Sequence, residues 1–246
     1  MSGVTPAVFL DFDGTITTRD ATDAILEAYA DPEWLRIEEA WKTGRIGSRE
    51  CLTAQMRLVK ATASELERLL DGIEIDAGFT ALVELCFGSR VPVHIISDGF
   101  DYCIDRILRR PSLNLARHLT AIRIVSTRLH NEGTAWRVSF GSLDGGCVHG
   151  CATCKPAAMA MLNTGGGAAI FVGDGLSDKY AAVAADLVFA KNQLAAYCDE
   201  RSIAYTPFDN LATIARQLEP LFRVDATMSP ASGGRPHCKT AKIPTR

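Results

Sequence analysis

Residues Ala7-Val8-Phe9-Leu10 run straight into Asp11-Phe12-Asp13-Gly14-Thr15. An apolar run of this kind reads as a buried strand over 7–12, so its terminal acids land at one carboxyl edge of a sheet. Alternation along an extended backbone sends Asp11 and Asp13 to opposite faces, and a turn at Gly14 brings both to one pocket. Such a pair can divide the work of group transfer. One carboxylate attacks an electrophile and holds a cation, and the other hands a proton to a leaving oxygen. A solvated turn could carry two acids without any chemistry, so the partners found elsewhere in the chain decide.

The same punctuation recurs. Val91–Ile96 reads as a second buried strand ending at Ser97-Asp98-Gly99. Ala168–Val172 reads as a third, ending at Gly173-Asp174-Gly175, and Leu187–Ala190 as a fourth. Residues 20–71 read instead as helices. Asp31-Pro32-Glu33 is a helix start, Ser48 can cap the next helix, and Thr62 with Glu65 fits a capping box. A helix through Tyr102, Ile104 and Ile107 stops before Pro111, and Lys155-Pro156 opens another that ends near Asn163. Residues 119–145 alternate as β structure, with turns at Gly133 and Asp144-Gly145-Gly146. Gly165–Gly167 lacks the Gly-Lys-Thr/Ser ending of a phosphate-binding loop and reads as a connection. Strands alternating with helices predict an α/β parallel sheet with ligands at the strand carboxyl ends. The expected division is a catalytic core of residues 1–16 and 73–224, a helical insert over 17–72, and a polar, disordered tail over 225–246.

Composition narrows the partners. With 246 residues, 47% of them hydrophobic, the chain can bury a core and a smaller second module. A net charge of −3 argues against nucleic acid or a polybasic membrane surface. The first apolar run is too short for a leader, and no window approaches the roughly 18 apolar residues of a membrane span. A cytoplasmic protein with reduced thiols is therefore expected, despite eight cysteines.

Three strand ends supply different chemistry. Asp11 and Asp13 are joined by the Ser97 hydroxyl and by Asp174 and Asp178, with Lys155 at a helix start. Hydroxyl, ammonium, backbone amides and a divalent cation are what a transferring phosphoryl group needs. The acids at 11, 13, 174 and 178 would repel one another without a cation, and oxygen ligands favour Mg²⁺ over zinc.

In order and spacing, Asp11-Phe12-Asp13-Gly14-Thr15, Ser97, Lys155 and Gly173-Asp174-Gly175-Leu176-Ser177-Asp178 resemble the four motifs of the haloacid dehalogenase-like hydrolases over residues 8–190. The resemblance implies a Rossmann-like core, Mg²⁺ and an aspartyl-phosphate intermediate. It makes Asp11 nucleophile and metal ligand, and Asp13 the general acid/base and a metal ligand through its main-chain carbonyl. It makes Ser97 and Lys155 phosphoryl ligands, Asp174 a metal ligand, and Asp178 a ligand through water or an orienter of Lys155. Asp13 points to phosphoryl rather than halide transfer, because halide departure needs no proton. The insert resembles the C1-type cap of the phosphoserine-phosphatase-like branch, with Asp20 where those enzymes carry a Glu for the substrate amine. Trp41–Leu52, Gln55-Met56 and Cys151–Pro156 resemble the methionine-salvage phosphatases acting on 2-hydroxy-3-keto-5-methylthiopentenyl-1-phosphate. Ser97-Asp98-Gly99 departs from the Ser-Gly-Gly expected there, and resembles relatives acting on phosphoethanolamine or phosphocholine. The implied partner is a small phosphate ester. Asp20, Arg49, Gln55, Asp98 and Gly99 are its candidate contacts, and a homodimer is the candidate assembly. Phosphotransfer to another acceptor and a non-catalytic phospholigand-binding regulator are the competing functions.

Other features have blander readings. Cys147, His149, Cys151 and Cys154 fall within eight residues, and read as reduced thiols, half of a zinc site, or a redox-active disulfide. Arg45 and Arg57 fit solvated helix faces as well as a substrate anion. Trp34, Trp41 and Met56 fit the interior of the cap, and His94 that of a strand.

Overall fold

The computed structural model describes residues 4–141 and 147–224. The turn expected at Asp144-Gly145-Gly146, Cys238 and the tail over 225–246 lie outside the described residues. Strand β1 (Thr5–Leu10) is followed by α1 (Ala21–Tyr29), α2 (Trp34–Lys42), α3 (Ser48–Leu58), α4 (Ala63–Asp71) and α5 (Phe79–Gly88). Next come β2 (Val93–Phe100), α6 (Asp101–Leu108), α7 (Ala116–Leu119) and the hairpin β3 (Arg123–Glu132) and β4 (Ala135–Ser139). The chain then alternates through α8 (Lys155–Leu162), β5 (Gly166–Gly173), α9 (Lys179–Ala184), β6 (Leu187–Ala190) and α10 (Asn192–Arg201). It closes with β7 (Thr206–Pro207) and α11 (Leu211–Val224).

The strands form one sheet in the order β4-β3-β2-β1-β5-β6-β7. Every pairing is parallel except β3 with β4. Strand β1 lies between β2 and β5, with Leu10 level with Ile95 and Val172. This register brings the carboxyl ends of the three acid-bearing strands to one edge, as the α/β reading requires.

Alternation along β1 divides the core into two layers. Val8 and Leu10 join one cluster with Phe79, Leu82, Ile104 and Leu218, from α5, α6 and α11. Ala7 and Phe9 join the other with Ala158, Met159, Ala181 and Leu194, from α8, α9 and α10. Helices therefore cover both faces, the arrangement that buries a parallel sheet. No helix of the described residues is long and apolar enough to cross a membrane.

Local signals hold or fail for identifiable reasons. The Thr62–Glu65 capping box opens α4 as expected. Asp31, however, accepts from the amide of Glu33 at 2.9 Å and closes a turn, so α2 starts later, at Trp34. Ser48 is the first residue of α3 rather than its cap, and its hydroxyl accepts from Trp41 Nε1 at 3.1 Å. Gly166 and Gly167 open β5 instead of forming a connection. A Cβ on Gly167 would lie 2.2 Å from the Thr5 carbonyl, so only glycine lets β5 approach β1 so closely.

Helices α1–α4, the expected cap, are tied to the rest of the chain at several places. Trp136 Nε1 donates to the Ala61 carbonyl at 2.8 Å, joining β4 to the link between α3 and α4. Arg106 of α6 makes a two-pronged ion pair with Asp71, at 2.8 and 2.7 Å. At the start of α3 the Arg49 amide donates to Gly150 O at 3.1 Å, and Arg49 Nε to Cys151 O at 2.8 Å.

Candidate active site

Strand β1 ends in the middle of the sheet. The Asp11 amide extends the ladder by donating to Val172 O at 2.9 Å, which fixes the carboxylate at the strand mouth. Gly14 then turns the chain with φ +75°, and a Cβ there would stand 2.5 Å from Asp174 Oδ2. The turn therefore requires glycine twice over, for its dihedral and for its space. Beyond it, Asp13 Oδ1 accepts from the Ala21 amide at 2.8 Å at the first turn of α1.

Lys155 lies beneath these acids, 1% exposed, at the start of α8. Its ammonium donates to Asp11 Oδ1 at 2.6 Å and to Asp178 Oδ1 at 2.5 Å. The other Asp178 oxygen accepts from the amides of Asp174 and Gly175, at 3.0 and 3.1 Å. Asp178 thus ties the loop after β5 to the lysine. Carboxylate oxygens of Asp11, Asp174 and Asp178 lie within 4.8 Å of one another, a hard-oxygen set that suits Mg²⁺. The contact expected of Asp13 runs through its main-chain carbonyl, outside this carboxylate set.

Burial dominates the electrostatics. It pushes the Asp11 carboxyl well above the usual range, with Asp178 adding to the rise and Lys155 opposing it. Asp13 is pushed up to about 6 by burial, against the Ala21 amide and Lys155. Burial also works against the Lys155 ammonium, but Asp11 and Asp178 outweigh it and keep the group charged. Asp174 is raised by burial and by Asp178.

A cavity of about 460 Å³ opens above this floor. Asp11, Asp13, Ser97, Asp98, Gly99 and Asp174 line its base, and Asp20, Gln55, Trp41 and Leu52 its cap side. Asp20 also accepts from the Asp23 amide at 2.9 Å as the cap of α1, and burial raises its carboxyl well above the usual range. Gln55 donates to Glu38 at 2.9 Å. Gly99 packs so close to Asp13 that a Cβ would meet Asp13 Oδ2 at 2.2 Å. Arg49, expected as a substrate contact, is not among the lining residues. Besides reaching the Cys151 carbonyl, its guanidinium lies 5.2 Å from the centre of the Phe140 ring, so it braces the cap against the loop before Lys155.

The profile of the haloacid dehalogenase-like hydrolases matches residues 8–182. The chain belongs to that family. Among its relatives, a protein of Bacillus mycoides (strain KBAB4) named 2-hydroxy-3-keto-5-methylthiopentenyl-1-phosphate phosphatase is 27% identical over 225 residues, 88% of this chain and 97% of that one. A protein of the same name from Geobacillus kaustophilus (strain HTA426) is 28% identical over 221 residues, covering 89% and 96% of the two chains. A substrate-bound phosphoserine phosphatase structure superposes with a TM-score of 0.63 at 17% identity, over 87% of this chain and 97% of that one. The last likeness establishes the shared fold.

Some site residues escaped the sequence reading. The Thr15 hydroxyl donates to Asp174 Oδ1 and the Asn192 amide to Asp174 Oδ2, each at 3.2 Å. Asn192 follows the fourth strand as Asp174 follows the third, so the strand-end signal reaches it. Thr153 donates its amide to Asp98 Oδ1 at 2.9 Å, and no local pattern announces that pair.

Proposed function

We propose that this chain is a Mg²⁺-dependent phosphatase that hydrolyses a small phosphate monoester through an aspartyl-phosphate on Asp11. The observation that carries the reading is the Asp11 carboxylate, bonded to Lys155 at 2.6 Å and lining a cavity beside Asp13. A free Asp11 oxygen attacks phosphorus and the ester P–O bond breaks. Asp13, raised to about 6, delivers its proton to the departing oxygen. The same carboxylate then takes a proton from water, which cleaves the acyl phosphate and releases inorganic phosphate. Ser97 and Lys155 bind the phosphoryl oxygens, while Asp178 keeps the lysine aimed. Asp11, Asp174 and Asp178, with the Asp13 carbonyl, would hold Mg²⁺, which supplies positive charge to the transferring group when bound. Closure of the cap over a bound ester would exclude water from the cavity.

The substrate we assign is 2-hydroxy-3-keto-5-methylthiopentenyl-1-phosphate, in the cytoplasm. Support comes from the two relatives of that name, which align over nearly their whole length. The cavity agrees chemically, because Trp41, Leu52 and Leu176 give it an apolar wall for a thioether chain. Asp20 already caps α1 with one oxygen, which weakens it as an amine receptor.

Phosphate release from a panel of monoesters, with Mg²⁺ and with chelator, tests the assignment. The panel includes the methionine-salvage enol phosphate, phosphoserine, phosphoethanolamine and phosphocholine. Mg²⁺-dependent turnover with the enol phosphate preferred is the expected result. A preference for an amine-bearing ester refutes the substrate, and no turnover on any ester refutes the phosphatase.

A further inference from the structure

The loop that leads into Lys155 holds three cysteines the mechanism does not use. Cys147, Cys151 and Cys154 are thiols, and all three are partly exposed. They do not sit at random. The sulfur of Cys147 accepts from the amides of His149 and Cys151 and lies within hydrogen-bond reach of the Cys151 and Cys154 thiols. Gly150, with φ +64°, makes the bend that folds these residues back on one another. A metal would need the sulfurs to converge on a common point. The mutual spacing of 4.8 Å that groups Asp11, Asp174 and Asp178 is not met by any three of Cys147, His149, Cys151 and Cys154. The His149 ring is instead stacked on Tyr180, with centroids 4.1 Å apart and planes 15° from parallel. The arrangement is a hub with two neighbours rather than a closed cage.

We propose that Cys147 is a thiol-modification site, the attacking thiol of a reversible disulfide with its loop neighbours Cys151 and Cys154. The oxidant class is a small-molecule disulfide. The Cys147 thiolate attacks one sulfur of that disulfide, forming a mixed disulfide and releasing one small thiolate. A neighbouring cysteine then loses its proton and attacks the Cys147 sulfur, releasing the second small thiolate. The protein loses two protons and two electrons, and the small disulfide becomes two thiols.

The charges favour this order. Burial works against ionisation of Cys147, but the two amides and two thiols that donate to its sulfur outweigh it and lower its pKa. Cys151 is pushed up to about 12, first by burial and next by the neighbouring Cys147 charge. Once Cys147 is in a mixed disulfide that charge is gone, so Cys151 becomes easier to ionise when it is needed. An attacking thiol that is partly thiolate and partly exposed is the reactive kind.

The consequence follows from where the loop is tied. Cys151 O holds Arg49 of the cap, Gly150 O holds the Arg49 amide, and the Thr153 amide holds Asp98 beside the cavity. Closing an S–S bond brings two sulfurs to about 2.05 Å. That movement falls on the segment carrying all three ties and ending in Lys155.

The test treats the full chain with excess oxidised glutathione, removes the reagent, and counts thiols by alkylation and mass spectrometry under denaturing conditions. The expected result is loss of two thiols, a Cys147 disulfide to Cys151 or Cys154 in the peptide map, and recovery with dithiothreitol. Cys147→Ser should retain full thiol count apart from the substituted residue, and should keep its turnover of an aryl phosphate through the treatment. Wild-type turnover should fall at least tenfold and return on reduction. A disulfide that still forms in Cys147→Ser overturns the proposal, and so does stoichiometric zinc shielding the thiols until a chelator is added. Oxidation that leaves the rate unchanged overturns the coupling to the site. The thiol count and peptide map use no substrate, so they stand apart from the phosphatase reading.

Discussion

Asp98 accepts a hydrogen bond from the amide of Thr153 at 2.9 Å, across 55 residues of sequence. The Ser48 hydroxyl at the start of α3 donates to the same side chain. One half-buried carboxylate thereby joins the end of β2, the start of α3 and the loop before Lys155. Asp98, expected to face a substrate head group, lines the cavity and also ties it to the loop before Lys155.

Asp98→Ala leaves the Thr153 amide buried without its acceptor, at a cost of about 1–3 kcal/mol. Asp98→Asn keeps a carbonyl at the same place and should lose less than half as much. Urea unfolding of the two variants checks this, and equal losses would show that the hydrogen bond is not what holds the loop.

Gly99 leaves no room for a side chain beside Asp13. Gly99→Ala should displace the Asp13 carboxylate and lower kcat by about 100-fold, the scale of a misplacement near 1 Å. Circular dichroism and thermal unfolding should show the fold retained. A variant with near-normal kcat would mean that Asp13 is not the proton donor.

The carboxylates of Asp11, Asp174 and Asp178 lie within 4.8 Å of one another, and the Lys155 ammonium bonds only two of them. Mg²⁺ should therefore raise the unfolding midpoint, by mass action worth about 2.7 kcal/mol at one hundred times its Kd. Chelator should reverse the gain, and Asp174→Asn should abolish most of it. A midpoint indifferent to Mg²⁺ in the wild type would contradict the assigned ligands.

His94 sits 7% exposed on β2 between Phe9 and Arg123, with neither ring nitrogen hydrogen-bonded. Burial, helped by Arg123, lowers its pKa below the ordinary value. The folded state then binds this proton less readily than the unfolded chain. His94 contributes no penalty above its unfolded pKa of about 6.5, and a growing one as pH falls toward the folded value. Replacing it by Leu should therefore shrink the loss of stability between neutral and mildly acidic pH. Urea titrations at both pH values read the difference, and an unchanged pH slope would refute it.

The strand mouths were legible because each buried parallel strand is an apolar run and each ends in a residue with chemistry. The same rule puts Asp11, Ser97 and Asp174 at one edge of the sheet. It failed at Gly166 and Gly167, where the absence of a side chain, not an apolar one, lets β5 close on β1. Ser48 and Asp31 carry the right side chains for helix caps, but each has a different partner in the fold. Arg49 shows the limit most clearly. Its charge suggested a substrate anion, while its partners, Cys151 O and Phe140, lie about 90 or more residues away and leave no trace in local sequence.

The central claim is that Asp11 becomes phosphorylated. The direct measurement is rapid acid quenching of the wild type during turnover of a phosphate-labelled ester, followed by peptide mapping. Label that is stable in acid, lost in base, located on Asp11 and absent from a folded Asp11→Asn variant is the predicted result. Turnover that persists within twofold in Asp11→Asn, with no label on Asp11 in the wild type, would contradict the account.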